Sequence, residues 1–439
     1  MRGDVGRPAA SGPADRIGLF AWCTFDWANS AFPTVIVTFV FAAYFTKAIA
    51  ADEVTGTSQW SFAVSLSMLM TALLGPLLGA IADHGGRRKP WVLAFTALCV
   101  GATALLWSAT PDTDAVFWVL FCFALANFAF ETATIFYNAM LPAISPPAMI
   151  GRVSGWGWGL GYAGGLVCLG VALLLLIRPD PPPFGLDQAM AGPVRATALL
   201  VAGWVALFSL PFFLLTPDGA SGGIPPKEAV RRGLRTLART FRQLRRYRQI
   251  ALYLLAHMIY TDGLNTLFSM GGIYAAVTFG MDFHELLLFG ISLNITAGLG
   301  AFAFGWVDDW VGPKRTVLIA LAAIAALGAA ILLVQSKAAF WAFALPMGIF
   351  FGPAQSASRS LMARIAPPRL YAEMFGLYAL AGKATAFMGP ALFGWVTALS
   401  GSQRIGLSTV LLFLLIGALL LLPVREARAV SGGTRQWPQ

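Results

Sequence analysis

The stretch "GAIADHGGRRKP" (79–90) recurs in the second half of the chain as "GWVDDWVGPKRT" (305–316). At a constant offset of 226, an opening glycine, an aspartate, a second glycine and a basic pair coincide. The matched residues are Gly79 and Gly305, Asp83 and Asp309, Gly86 and Gly312, and Arg88–Lys89 with Lys314–Arg315. A second pair, "LPAISPPAMIGRVSG" (141–155) and "MARIAPPRLYAEMFG" (362–376), repeats at an offset of 221. Two repeats in the same order indicate two related halves.

Composition places these halves in a membrane. The 439 residues are 58% hydrophobic and 11% charged, with a mean hydropathy of +0.72, whereas soluble domains carry about 25% charged residues. Twelve apolar runs are long enough to cross a bilayer as helices. They lie near 20–45, 60–82, 90–108, 116–141, 153–177, 196–215, 249–278, 285–307, 316–335, 338–365, 375–399 and 405–423.

The basic residues predict the orientation. Of the 30 lysines and arginines, 23 fall on one side of the predicted spans and five on the other. By the positive-inside rule the richer side is cytoplasmic, and both termini are expected there. We predict an all-α membrane protein with twelve transmembrane helices in two six-helix pseudo-symmetric halves. Its segments are a cytoplasmic tail (1–18), an N-terminal half (19–215), a basic cytoplasmic linker (216–248), a C-terminal half (249–423) and a second tail (424–439).

The linker reads "KEAVRRGLRTLARTFRQLRRYRQ" (227–249). Apolar residues recur in it at helical spacing among arginines, which predicts an amphipathic helix on the cytoplasmic surface. These apolar residues are Leu234, Leu237, Phe241 and Leu244. The net charge of +10 is compatible with nucleic acid. A basic linker on anionic lipid explains both its position and its charge, so no nucleic-acid partner is expected.

Side chains for catalysis or metal binding are not grouped in the sequence. The cysteines, which lie in apolar runs, are interpreted as packing residues, and the histidines lie in three separate segments. The residues concerned are Cys23, Cys99, Cys122 and Cys168, and His84, His257 and His284. We therefore expect neither an enzyme nor a cofactor or metal site.

The pattern G-x-x-x-D-x-x-G-R-R-K at 79–89 resembles the loop between helices 2 and 3 of the major facilitator superfamily. The recurrence of the pattern after the eighth run strengthens the resemblance. The resemblance implies a gating loop that stabilises one state of a transport cycle. Alternatively, the basic residues only orient insertion. His84 stands where the superfamily often has arginine. The predicted gating residues are Asp83, Gly86, Arg87, Arg88, Asp309, Gly312, Lys314 and Arg315.

A narrower resemblance, to the vacuolar effluxer family linked to autophagy, covers almost the whole chain. It rests on "FDWANSAF" (25–32), "FYNAMLPAI" (136–144), "GRVSGWGWGLGYAGG" (151–165), "SRSLMARIAPP" (358–368) and "AEMFGLYALAGKATAFMGPALFG" (372–394). Eukaryotic members of that family are described as amino-acid exporters. The resemblance therefore implies amino-acid transport.

Six ionisable residues lie within predicted spans: Asp26, Glu131, His257, Asp262, Arg359 and Lys383. In the superfamily fold, helices 1, 4, 7 and 10 line the central cavity, and only Lys383 lies on another helix. Charges inside a membrane generally mark substrate or ion pathways. The predicted substrate and proton pathway comprises Asp26, Asn29, Glu131, Asn138, Asp262, Asn265, Gln355, Arg359 and Lys383.

A purely structural role is the alternative for each of these charges. Arg359 could pair with Asp26 or Asp262 and only lock the halves together, and Lys383 could be the partner of an acid across the bundle. His257 could be a satisfied interior histidine.

These features together predict a secondary active transporter of the bacterial inner membrane, with both termini cytoplasmic. It is expected to act as a monomer in the bilayer, rocking its halves about a midplane site. The expected solute is a small polar molecule, most plausibly an amino acid. Its transport is expected to be efflux or exchange, coupled to protons or another ion. The alternatives are a lipid-handling transporter of the same fold and a non-transporting sensor or scaffold.

Overall fold

The structure, a computed structural model, describes residues 15–219, 226–242 and 247–425. All regular structure in these ranges is helical. The N-terminal half contains α1 (Arg16–Ile49), α2 (Glu53–Gly85), α3 (Lys89–Ser108), α4 (Thr113–Ile144), α5 (Pro147–Ile177) and α6 (Gly192–Leu215). The C-terminal half contains α7 (Arg248–Phe279), α8 (Phe283–Val311), α9 (Pro313–Leu333), α10 (Lys337–Ile365), α11 in two pieces (Tyr371–Ala384 and Met388–Ser400), and α12 (Gln403–Leu421).

Ten of the described helices are long and apolar enough to cross a membrane, so the chain is a multi-pass membrane protein. The other two are α7 and α11. Polar residues such as His257, Asp262 and Asn265 lower the apolarity of α7, and α11 is divided into pieces of 14 and 13 residues. The count of twelve spans therefore stays a prediction.

The repeated glycines end helices. Gly86 follows α2 with a φ of 80°, and Gly312 follows α8 with a φ of 95°. Side chains with a Cβ rarely adopt this backbone conformation, which explains why both loops carry glycine at that position. We call the end of the bundle where α2 and α8 finish the latch end.

The two halves meet through reciprocal helix pairs: α2 packs on α11, and α5 packs on α8, while α10 and α11 also contact α5 and α4. Glycines allow the close approach. A Cβ at Gly79 would overlap the carbonyl of Ala372, and one at Gly305 would lie 3.0 Å from Cα of Arg152. The repeat relates Gly79 to Gly305, so the pseudo-symmetry read from the sequence is also the symmetry of the interface.

The linker contains a helix, Pro226–Arg242, which packs on α2. A Cβ at Gly233 would lie 2.9 Å from the backbone nitrogen of Ile81. Hydrogen bonds from Arg231 and Arg232 lower the pKa of Glu228 to about 2.

Parts of the predicted amphipathic linker and of the two tails lie outside the described residues. Leu234 is half exposed, so its contact with lipid stays a prediction. The side chains of Leu237 and Phe241, all of Leu244, and both tails apart from 15–18 and 424–425 lie outside the described residues.

Candidate functional site

An arginine from the C-terminal half is inserted into the N-terminal half. Arg359 lies on α10, six residues before its end at Ile365, and its side chain is only 4% exposed. Its Nη1 donates to Oδ2 of Asp26 on α1 at 3.0 Å and to Oδ1 of Asn138 on α4 at 3.2 Å. Of the two acids considered from the sequence, Asp26 rather than Asp262 is therefore the partner.

Ser154 on α5 completes the polar contacts of Arg359. Its carbonyl accepts from Nη2 at 2.6 Å and its Oγ accepts from Nε at 2.9 Å. The same hydroxyl donates to the carbonyl of Ser356 at 2.7 Å, which orients a lone pair of the hydroxyl oxygen toward the guanidinium. Gly157 leaves room for this pair, because a Cβ there would overlap Oδ2 of Asp26 and lie 2.9 Å from Nη2 of Arg359.

Three aromatic rings surround the same guanidinium. Its Cζ lies 5.0 Å from the ring centre of Trp22, 5.7 Å from that of Trp158 and 5.8 Å from that of Tyr137. Trp22 and Tyr137 stack at 4.2 Å, and each donates a hydrogen bond to the backbone carbonyl of the other. Cations are attracted to ring faces at such distances.

A second ion pair joins the halves further from the latch end. Lys383 Nζ donates to Oε1 of Glu131 at 2.6 Å, and each side chain is 17% exposed. Glu131 lies midway along the α-helical part of α4, Val116–Ile144. Lys383 occupies the last turn of the first piece of α11. A cation is favoured at this carboxyl end of a helix.

Asp262 lies on α7 and contacts the second piece of α11, across the break from Lys383. Its Oδ2 accepts from the backbone nitrogen of Gly389 at 3.1 Å, at the start of the second piece. Its Oδ1 is buried and has no hydrogen-bond partner among the described residues. Asp262 is 1% exposed and forms no ion pair with any described basic residue.

The latch end is closed by two equivalent contacts. Asp83 at the end of α2 accepts from the backbone nitrogens of Ala372 and Glu373, which begin α11, at 3.0 and 2.9 Å. Asp309 at the end of α8 accepts from those of Gly151 and Arg152, in the first turn of the α-helical part of α5 (Ile150–Val171), at 2.8 and 3.0 Å. A carboxylate at a helix amino terminus satisfies backbone groups that have no partner within the helix.

Charges surround both aspartates. Arg88 pairs with Asp83 at 2.9 Å, and Asp309 pairs with Arg152 and Arg364, each at 2.8 Å. Among the described residues, the ion pairs and side-chain hydrogen bonds between the halves lie from this end up to the level of Glu131 and Lys383.

The remaining charged residues of the predicted gating loops are Arg87, Lys314 and Arg315. Lys314 donates to the carbonyl of Leu422 at 2.6 Å within its own half, and Arg87 and Arg315 are exposed.

The other predicted pathway residues differ in whether they contact the opposite half. Asn29 donates to Thr134 Oγ1 at 3.3 Å within the N-terminal half. Gln355 accepts from the Tyr162 hydroxyl at 2.7 Å across the halves, and Asn265 is exposed.

His257 is an interior residue. Its Nδ1 lies 3.1 Å from the Tyr260 hydroxyl and 3.0 Å from Thr261 Oγ1, and its ring stacks on Tyr378 at 4.1 Å. The geometry favours the alternative in which this histidine is satisfied within the bundle.

Sequence reasoning missed the lining of the Arg359 pocket. Ser154, Gly157 and Trp158 lie together in the "SGWGW" run, which is spaced to present Ser154 and Trp158 on one face of α5. Tyr137 is next to Asn138 in the chain. These residues could not be predicted because neither segment shows, from its own sequence, which arginine of the other half it contacts.

Known proteins resemble the chain at the levels of sequence and fold. A family model described as vacuole effluxer Atg22 like matches residues 47–151 and 145–432. A Bacillus subtilis (strain 168) protein described as the uncharacterized MFS-type transporter YxiO is 27% identical over 95% of this chain and 96% of its own length. Autophagy-related protein 22 of Cryptococcus neoformans is 25% identical over 65% of this chain, and the match spans about half (54%) of the fungal protein.

Solved structures share the fold at low sequence identity. The major facilitator superfamily transporter FucP, in its outward conformation, has a TM-score of 0.72 and 14% identity, over 92% of this chain and 97% of that chain. A bacterial homologue of the iron transporter ferroportin, in its outward-facing state, has a TM-score of 0.68 and 12% identity, over 93% of this chain and 99% of that chain. With the family match along most of its length, the chain belongs to the Atg22-like vacuole effluxer family and has the all-α fold of major facilitator superfamily transporters.

Proposed function

We propose that the protein is a secondary active transporter that moves an amino acid across the bacterial inner membrane by alternating access, coupled to protons. The observation that carries the proposal is the Glu131–Lys383 pair. It places one acid and one base 2.6 Å apart, one from each half, midway along the helices and partly exposed.

A zwitterion matches this pair in charge. Its carboxylate would meet Lys383 and its ammonium would meet Glu131, so that two new ion pairs replace the existing one. Removing only one partner would leave an unpaired charge at reduced exposure, which is costly. A solute with both charges therefore fits this position better than a simple anion or cation.

The contacts at the latch end support alternating access. Opening this end would break the caps at Asp83 and Asp309 and withdraw Arg359 from Asp26. With the orientation predicted from the basic residues, the described state is closed to the cytoplasm. All of these groups belong to one chain, so we propose that the monomer transports.

Asp262 is the proposed proton carrier. A buried carboxylate with one oxygen unpartnered is destabilised in its charged form, and binding a proton removes that charge. Because its other oxygen caps the second piece of α11, a change in protonation would act on the break that also positions Lys383.

Exchange in proteoliposomes tests the proposal. Purified protein is reconstituted with internal unlabelled amino acids, and entry of labelled ones is measured across a panel. We expect exchange in the wild type and its loss in Lys383→Met.

Lys337→Met is the matched control, because Lys337 pairs with Glu285 at 2.7 Å inside the C-terminal half. Undiminished exchange by folded Lys383→Met would contradict the role of the pair. If the wild type exchanges no amino acid, the amino-acid function is wrong, and the lipid-handling and non-transporting alternatives take its place.

A separate prediction concerns the coupling ion. Asp262→Asn retains an oxygen that can accept from Gly389 but cannot carry the proton. We expect this variant to exchange amino acid at equal pH on both sides and to lose accumulation driven by an imposed pH gradient. Gradient-driven accumulation equal to that of the wild type would remove Asp262 from the coupling mechanism.

A further inference from the structure

The pocket around Arg359 gives every nitrogen of its guanidinium an oxygen acceptor and surrounds the group with aromatic rings. The groups that bond its guanidinium are all acceptors: Asp26 Oδ2, Asn138 Oδ1, and the carbonyl and hydroxyl oxygens of Ser154. The rings of Trp22, Tyr137 and Trp158 face the same group. One carboxylate, neutral acceptors and aromatic faces together form the chemistry that selects an organic cation.

The pocket and its occupant belong to different halves. Each group named above lies on α1, α4 or α5 of the N-terminal half, whereas Arg359 is carried by α10 of the other. When the halves separate at the latch end, Arg359 leaves with its own half. The carboxylate of Asp26 and the three rings belong to the N-terminal half and would stay behind.

We infer that this pocket is a cation subsite for the transported solute, and that Arg359 occupies it as a tethered substitute while the latch end is closed. The solute class is an amino acid bearing a guanidinium group. The three nitrogens of Arg359 each have an acceptor in the pocket, an arrangement that suits a planar guanidinium better than a compact ammonium. The inference rests on the proposed function and narrows its substrate.

The distance along α4 agrees with such a solute. Glu131 and Asn138 are seven residues apart on this helix, two turns or about 10 Å. A basic amino acid could place its α-ammonium at Glu131 and extend its side chain toward Asn138 and Asp26. Both positions stay on the N-terminal half when the halves move apart.

The first test empties the pocket by mutation. Thermal unfolding of Arg359→Ala in detergent is followed with millimolar methylguanidinium, with urea as its neutral counterpart, at constant ionic strength. We expect a saturable rise in Tm with methylguanidinium only. The rise should be absent in the wild type, whose pocket is filled, and in the Asp26→Asn/Arg359→Ala double variant. A folded Arg359→Ala that responds equally to both compounds would overturn the subsite.

The second test uses wild-type protein and does not depend on folding of a variant. In proteoliposomes, L-arginine should compete for exchange at least tenfold more strongly than L-citrulline, its neutral isostere. Equal competition by the two would overturn the inference while leaving amino-acid transport intact. If no amino acid exchanges at all, the proposed function is wrong, and the methylguanidinium shift still reports on the pocket independently.

Discussion

Asp26 lies in an apolar helix because it has a partner from the other half of the molecule. Its carboxylate receives the guanidinium of Arg359, which is also held by Ser154 and by three rings. The sequence predicted that Asp26, Glu131, Arg359 and Lys383 would be important, since charges are rare in spans. It left the pairing open, because contacts between α1 and α10 join residues more than 300 positions apart.

Gly157 tests this pocket without changing any of its charges. A Cβ at this position would overlap Asp26 and crowd Arg359, so Gly157→Ala should lower the free energy of unfolding by about 1–3 kcal/mol, as other overpacked sites do. The measurement is thermal or chemical unfolding in detergent.

Gly170→Ala on the same helix is the control, because a Cβ there meets nothing within 4 Å. It should leave stability unchanged or raise it by up to about 1 kcal/mol. Equal effects of the two substitutions would show that Gly157 does not support the ion pair.

At the scale of helices, the two repeats of the sequence meet in crossed contacts. Asp83 and Asp309 come from one repeat, and the helix starts that they cap, at Ala372 and at Gly151, come from the other. Each offset was readable in the sequence. That the contacts run from one repeat to the other was not readable, because a repeat identifies equivalent positions in the chain but does not show which half each position contacts.

The crossed caps make a crossed prediction for amide exchange. Asp83→Ala removes the acceptor for the amides of Ala372 and Glu373, which should then exchange roughly fivefold faster, since a cap is worth about 1 kcal/mol. Asp309→Ala should do the same for Gly151 and Arg152. Hydrogen exchange with mass spectrometry on both variants provides the measurement. Faster exchange at both helix starts in each variant would indicate general loosening instead of specific caps.

For the chain as a whole, an all-α membrane fold was predicted from the sequence, and the solved structures of similar fold agree with it. The polar residues of α7 were readable as well. In the structure α7 is too polar, and the two pieces of α11 are too short, to meet the length and apolarity of a membrane span. One feature was not readable. Which end of the bundle is closed depends on contacts between distant residues, and no local pattern encodes it.

We propose that the latch end must open for solute to cross. Gly159 on α5 and Phe302 on α8 face each other across the halves, and a Cβ at 159 would lie 3.2 Å from that of Phe302. Disulfides need a Cβ separation of about 3.5–4.5 Å, so Gly159→Cys/Phe302→Cys should cross-link after a small adjustment. Each single-cysteine variant is the control for oxidation of the buried native cysteines.

The decisive measurement is exchange of the best amino acid of the panel by this double variant in proteoliposomes. Alternating access predicts that oxidation abolishes exchange and that a reductant restores it, with both single variants unaffected. Exchange by fully cross-linked protein at the same rate as the reduced protein would contradict alternating access.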